Sequence, residues 1–132
     1  MIYIVLNAVA ILAATLASLA FGAFYYSVAS RGRQRALGLT GTFVTALIAE
    51  VWLCAILAGA LILAPPKGGV WTMTIGSAFV IWIGFVAPVI VATYRVRALG
   101  MRPALVDCAH WLGAMLVMAV VLRMIGLVPP PV

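Results

Sequence analysis

The chain has 132 residues, of which 67% are hydrophobic and only 8% charged, and its mean hydropathy is +1.30. A soluble domain is about one quarter charged, so this composition excludes a soluble globular fold and indicates one membrane domain over residues 1–132. The net charge of +6 comes from arginines beside apolar segments, which favours anionic lipid headgroups as partners and argues against nucleic acid.

Four apolar segments follow one another along the chain, at about residues 3–29, 41–64, 71–94 and 104–127. Each can cross a hydrocarbon layer of ~30 Å as an α-helix, whereas an open strand would leave backbone groups unpaired in lipid. The sequence therefore predicts an all-α integral membrane protein with a bundle of four transmembrane helices. No positively charged region precedes the first span, so we expect it to be retained and not cleaved as a signal peptide.

Prolines mark where the helices end, begin or bend. Pro65 and Pro66 stop the second span, and Pro103 is suited to the first turn of the fourth. Pro88 lies inside the third span and cannot donate a hydrogen bond to the carbonyl of Gly84. We expect a kink at this position.

Charge asymmetry predicts the orientation. Lys67 is the only cation of the loop between the second and third spans, whereas arginines flank both other loops. The positive-inside rule places these arginine-rich loops in the cytoplasm and both termini outside, with tyrosines forming a belt at the cytoplasmic interface. The flanking arginines, expected to contact anionic headgroups, are Arg31, Arg33, Arg35, Arg95, Arg97 and Arg102.

The two halves resemble each other. Residues 33–39 match residues 95–101, and the same offset places Gly22 on Gly84. Two parallel hairpin repeats would produce this pattern, and so would chance similarity between short basic loops. If the repeat is real, Gly22 and Gly84 occupy equivalent helix-packing positions.

Small residues recur every four positions in the first span. They are Ala10, Ala14, Ser18 and Gly22. Such a stripe lets another helix approach closely. We expect it to serve packing within the monomer, with a homodimer seam as the alternative.

Glu50, Asp107 and His110 form the predicted intramembrane polar site. Counted inward from the arginine-rich ends, they lie about 14, 5 and 9 Å deep, respectively, at a helical rise of ~1.5 Å per residue. Polar groups inside a bilayer usually face the bundle interior or a wet cavity and often carry function. Asp107 and His110 are three residues apart and so share one helix face.

Each of these residues has an alternative interpretation. Glu50 is either a switchable carboxyl or a structural tie that donates to the Gly84 carbonyl. For Asp107 we favour a structural pair with Arg97 or Arg102. His110 could relay protons, but a lone histidine is more often a core residue. The three could ligate a metal, yet their spacing matches no known signature, so no metal site is predicted.

The remaining polar groups are assigned structural roles. Cys54 and Cys108 lie in different spans at different depths, so we expect free thiols. Arg123 lies about one turn before the end of the fourth span and can extend its charge to the interface.

Short motifs resemble those of a known family. Residues 22–27 (GAFYYS), residues 84–88 (GFVAP) and the acidic–aromatic stretch 107–111 are similar to elements of a small bacterial four-span membrane family. That family is catalogued as domain of unknown function seventeen-sixty-one. The chain departs from its pattern at Val28, where a proline is common. The resemblance implies the four-span topology and a bacterial inner membrane, and it implies no activity.

Two classes of function remain open. In the first, the chain is a proton-linked transporter or ion-conducting unit that acts as a homo-oligomer and uses Glu50. In the second, it is a non-catalytic membrane binding or assembly protein whose polar residues hold helices together. A membrane enzyme is a distant third, and no catalytic residue or cofactor is predicted.

Overall fold

The computed structural model describes residues 2–29, 39–65 and 68–131. Every regular element in these ranges is helical: α1 (Ile2–Leu6), α2 (Ala8–Ala29), α3 (Leu39–Leu63), α4 (Val70–Ile81), a π-helical turn (Trp82–Val86), α5 (Ala87–Val96) and α6 (Met101–Ile125). Within the described residues, four stretches are long and apolar enough to span a membrane: Ala8–Ala29, Gly41–Leu63, Val70–Val96 and Met101–Ile125. The all-helical class with four such helices is confirmed, and the bundle is compatible with a multi-pass membrane protein.

The last helix is the centre of the bundle. α6 contacts α2, α3, α4 and α5, and its contact with α2 is the most extensive. Many core side chains are small, so the helices approach closely and dispersion contacts accumulate along their lengths. The buried core consists of Ala10, Ile11, Ala14, Cys54, Ala55, Leu57, Ala58, Leu61, Ala78, Met115, Met118, Ala119 and Leu122.

The small-residue stripe of the first span packs inside the monomer, as predicted. Ala10, Ala14, Ser18 and Gly22 are all buried. A Cβ added at Gly22 would lie only 2.8 Å from Nε2 of His110. This position therefore has room for glycine alone unless the imidazole moves.

Gly84 does not pack against another helix among the described residues, so the helix crossing predicted at this position is not formed within the monomer. It is exposed, and an added Cβ would meet no atom within 4 Å. The third span presents this side outward, and only 6% of its most apolar 18-residue stretch is buried. The sequence match between the two halves thus does not extend to the packing of Gly22 and Gly84.

The third span is irregular just before Pro88, where an interruption was predicted. The turn over Trp82–Val86 is π-helical, and the N–H of Ala87 donates to the carbonyl of Trp82. Pro88 then lies in the first turn of α5, where a missing N–H does least harm. Local π-helical geometry is a common way to accommodate such an interruption.

Asn7 joins the two ends of the described chain. It occupies the break between α1 and α2 and is 3% exposed. Its Nδ2 donates to the Val128 carbonyl over 2.9 Å, and the Val128 N–H donates back to Oδ1 over 2.8 Å. Nδ2 also donates to the carbonyl of Tyr3. The side-chain amide therefore pairs with Val128 as a second peptide group would.

Candidate functional site: the polar residues of the bundle

The site is built where α2 crosses α6. At this crossing His110 of α6 lies over Gly22 of α2, and Phe21 of α2 lies over Gly113 of α6. The two rings are nearly parallel, with centroids 6.2 Å apart and planes inclined by 13°. Each helix thus supplies one ring and one glycine, and this reciprocal fit holds the imidazole at a fixed position.

Four aromatic rings surround the imidazole and form what we call the aromatic cage. Measured from the His110 ring, the centroid of Tyr26 is 4.6 Å away, that of Trp111 5.4 Å, and that of Tyr25 5.5 Å. Phe21 completes the cage. Its members come from both α2 and α6, so the environment of His110 depends on the contact between these helices.

Neither ring nitrogen of His110 has a hydrogen-bond partner in the described part of the chain, although only 5% of the residue's surface is exposed. An imidazole carries at least one N–H in every protonation state. At least one buried donor is therefore unpaired, at a cost of about 1–3 kcal/mol. Groups retained at such a cost call for an explanation beyond packing.

Asp107 is held by two tyrosines, which together form the tyrosine clamp. The Tyr26 hydroxyl donates to Oδ1 over 2.9 Å, and the Tyr94 hydroxyl donates to Oδ2. Because Tyr26 belongs to α2 and Tyr94 to α5, one carboxyl group of α6 connects three helices. The clamp also reaches the cage, since the Tyr26 ring packs against His110.

The expected ion pair of Asp107 with an arginine is therefore wrong. Both carboxyl oxygens have phenolic donors, and Arg97 and Arg102 are exposed. A tyrosine hydroxyl on its rigid ring loses little side-chain entropy when it donates to the carboxylate. An exposed arginine would lose hydration and side-chain entropy in an ion pair, so the ion pair contributes little to stability. The structural interpretation of Asp107 stands with different partners.

Glu50 occupies a separate place, between α3 and α2. It is 3% exposed, and its Oε2 has no hydrogen-bond partner among the described residues. Ser18 of α2 lies beside the carboxyl, yet its hydroxyl makes no hydrogen bond with any other described residue. One turn further along α3, the Cys54 thiol contacts the carbonyl of Ile11 at 3.6 Å.

The predicted hydrogen bond from Glu50 to the Gly84 carbonyl is not formed. Gly84 lies on the exposed side of the third span, and Glu50 faces α2. The prediction rested on the similar depth expected for the two residues along their helices. Depth does not determine which side of a helix a residue occupies. Glu50 thus keeps a buried carboxyl oxygen without a donor.

The structure brings Asp107 and His110 together through Tyr26, and it does not bring Glu50 into the same cluster. Within the described residues, no group of three His, Cys, Asp or Glu side chains could hold a metal ion. Cys54 and Cys108 are buried free thiols, as predicted. The site therefore consists of two parts. One is the clamped Asp107 beside caged His110, which packs on Gly22; the other is Glu50, which lies beside Ser18, one turn away on the same face of α2.

The tyrosines are the functional side chains that the sequence did not identify as partners. Tyr26 and Tyr94 were assigned to an interfacial belt, yet their hydroxyls turn inward to Asp107. Tyr25 likewise turns inward and donates to the Val106 carbonyl over 3.0 Å. One feature of the sequence could have indicated these partners. Asp107 is the acid nearest that end of the bundle, and a carboxylate away from water needs several hydrogen-bond donors.

Comparisons with protein-family models, with curated proteins and with solved structures give no match. The chemistry of the site therefore rests on its own geometry.

Proposed function

We propose that Glu50 is the proton-binding carboxyl of a small multi-pass membrane protein that couples proton binding to transport or conducts ions. The observation that carries this proposal is the contrast between the two acids. Asp107 has a phenolic donor on each carboxyl oxygen. Glu50 is almost completely buried, and no described residue donates a hydrogen bond to its Oε2.

This contrast matters because donors determine what a buried carboxyl can do. Hydrogen bonds to both oxygens stabilise the charged form and fix the side chain, which is typical of a structural role. A buried carboxyl without such donors is costly when charged, since no neighbour replaces its lost hydration. It changes its charge only together with a change in its surroundings, which is the property required of a coupling residue.

The homo-oligomer in this proposal is supported by the third span. Only 6% of the most apolar 18-residue stretch of this span is buried, whereas 33–39% of the corresponding stretch is buried in each of the other three spans. Much of its surface is therefore available to lipid or to another copy.

A second candidate function is membrane assembly without transport. It is favoured by the other polar contacts, which connect separate parts of the chain: the Asn7–Val128 pair, the clamp on Asp107, and the bond from Trp82 Nε1 to the Cys108 carbonyl. In this case Glu50 would be one more element that sets helix packing.

For the membrane and the orientation, we propose a bacterial inner membrane with the arginine-rich loops in the cytoplasm and both termini outside. The charge asymmetry and the family resemblance support this proposal, as they support contacts of the flanking arginines with anionic headgroups. Arg31, Arg33 and Arg35 lie outside the described residues, whereas Arg95, Arg97 and Arg102 are exposed at that end.

Thiol labelling tests the orientation. A cysteine placed at Gly68 should react with an impermeant reagent in intact cells, and one at Gly100 should be shielded until the membrane is opened. The reverse pattern would overturn the proposed orientation.

Proton flux in liposomes tests the proposed role of Glu50. Purified protein is reconstituted with a pH-sensitive dye inside, and flux is followed after a potential is imposed. Glu50→Gln keeps the shape of the side chain and cannot release a proton, so it should fold like the parent and lose the flux. Glu50→Asp keeps the carboxyl and should retain part of it. Equal flux in Glu50→Gln and parent would refute the proposed role, and absence of flux in the parent would favour assembly.

A further inference from the structure

A cleft of about 250 Å³ opens at the end of the bundle opposite the arginine-rich loops. The end of α3, the start of α4, the last turn of α6 and the segment after it form its walls. We call it the terminal cleft. Its described lining is mostly apolar, and Arg123 is the single charged side chain among the lining residues that the structure describes.

Among the residues that the structure describes, Arg123 has no partner of opposite charge. It is half-buried and makes no ion pair or side-chain hydrogen bond within the part of the chain that the structure describes. The chain has only two acidic side chains. Asp107 lies sixteen residues away on the same helix, or ~24 Å, and Glu50 lies eleven residues from Leu61 of the cleft, or ~16 Å.

The opposite wall of the cleft adds positive potential. α4 begins there at Val70, after Gly69 with φ +79°, and no side chain caps its first turn. The N–H groups of a first turn have no partner within the helix, and its dipole favours an anion. The Thr74 hydroxyl already donates to the Val70 carbonyl over 2.7 Å, so the guanidinium is the main donor.

We propose that the terminal cleft binds a phosphate-type anion through Arg123. A guanidinium can donate two parallel hydrogen bonds to phosphate oxygens, and the cleft is large enough for a phosphate group together with part of what carries it. The phosphate comes either from a lipid headgroup or from a soluble phosphate. This site is far from Glu50, and the inference does not depend on the proposed role of that residue.

Binding is tested on the full chain in a detergent without phosphate. Inorganic phosphate and soluble short-chain phosphatidylglycerol are titrated separately, with calorimetry and the shift of the unfolding temperature as readouts. Arg123→Gln should weaken binding at least about tenfold, which corresponds to the loss of ~1.4 kcal/mol. With inorganic phosphate as the probe, the matched control Arg102→Gln removes the same charge at the other end of the bundle and should change affinity less than about twofold, because that distance is largely screened.

A second variant keeps the test decisive if Arg123→Gln fails to fold. Met73 lines the cleft near the start of α4, so Met73→Glu would give Arg123 a carboxylate partner within the chain. It should raise the unfolding temperature and abolish binding of both probes. Saturable, Arg123-dependent binding of phosphate supports a soluble ligand, and such binding of phosphatidylglycerol alone supports a lipid headgroup. The proposal is overturned if neither probe binds the parent, or if Met73→Glu or folded Arg123→Gln binds as the parent does.

Discussion

Removing the Tyr26 hydroxyl should loosen the contact between α2 and α6. Tyr26→Phe deletes the 2.9 Å hydrogen bond to Asp107 Oδ1 and keeps the ring that packs 4.6 Å from the His110 ring. A hydrogen bond to a charged group contributes about 1.5–3 kcal/mol. Two effects reduce this contribution. Tyr26 is only half-buried, so water can replace part of the lost hydrogen bond, and hydrogen bonds between helices inside membranes average ~0.6 kcal/mol. We therefore expect a loss of about 1–1.5 kcal/mol.

Unfolding by a denaturing detergent in mixed micelles, followed by circular dichroism, measures this loss. Tyr25→Phe is the matched control, since it removes a hydroxyl that donates to the neutral Val106 carbonyl and should cost less. A double-mutant cycle with Asp107→Ala should give a coupling energy of about 1 kcal/mol. If Tyr26→Phe costs the same with and without the Asp107 carboxyl, the clamp does not stabilise the bundle.

Gly22→Ala should destabilise the fold by about 1–3 kcal/mol in the same unfolding assay, because its Cβ would lie 2.8 Å from His110 Nε2. Gly84→Ala should be neutral or stabilise by up to about 1 kcal/mol, because nothing lies within 4 Å; equal losses in both variants would contradict this packing. Asn7→Ala should cost about 1–2 kcal/mol and speed hydrogen exchange at the Val128 amide, which donates to Oδ1 in the parent. Asn7→Asp places a carboxylate oxygen where Nδ2 donates to the Tyr3 and Val128 carbonyls, so it should also speed this exchange, and exchange in Asn7→Ala as slow as in the parent would argue against the pairing.

The spans and the packing face of α2 could be predicted from the sequence because both depend on strong local signals. Long apolar runs between prolines and arginines mark the helices, and a stripe of small residues marks a close helix contact. The shared face of Asp107 and His110 follows from their spacing of three. These features need no knowledge of which helices are neighbours.

The partners could not be predicted, since they depend on how each helix is turned. The third span is apolar on every side, so hydropathy did not show that Gly84 faces outward. Asn7 lies within an apolar stretch, and its pairing with Val128 joins positions 121 residues apart. The tyrosine donors of Asp107 were hidden for the same reason. Tyrosine is common at membrane interfaces, and only the crossing of α2 with α6 turns Tyr26 inward.

The most direct test of the proposed role of Glu50 is infrared difference spectroscopy of the protein in lipid as the pH is changed. The Glu50 carboxyl should give a band of the protonated acid whose intensity changes with pH, and this band should be missing in Glu50→Gln and retained in Asp107→Asn. A band that is independent of pH, or one that persists in Glu50→Gln, would contradict a carboxyl that binds and releases a proton.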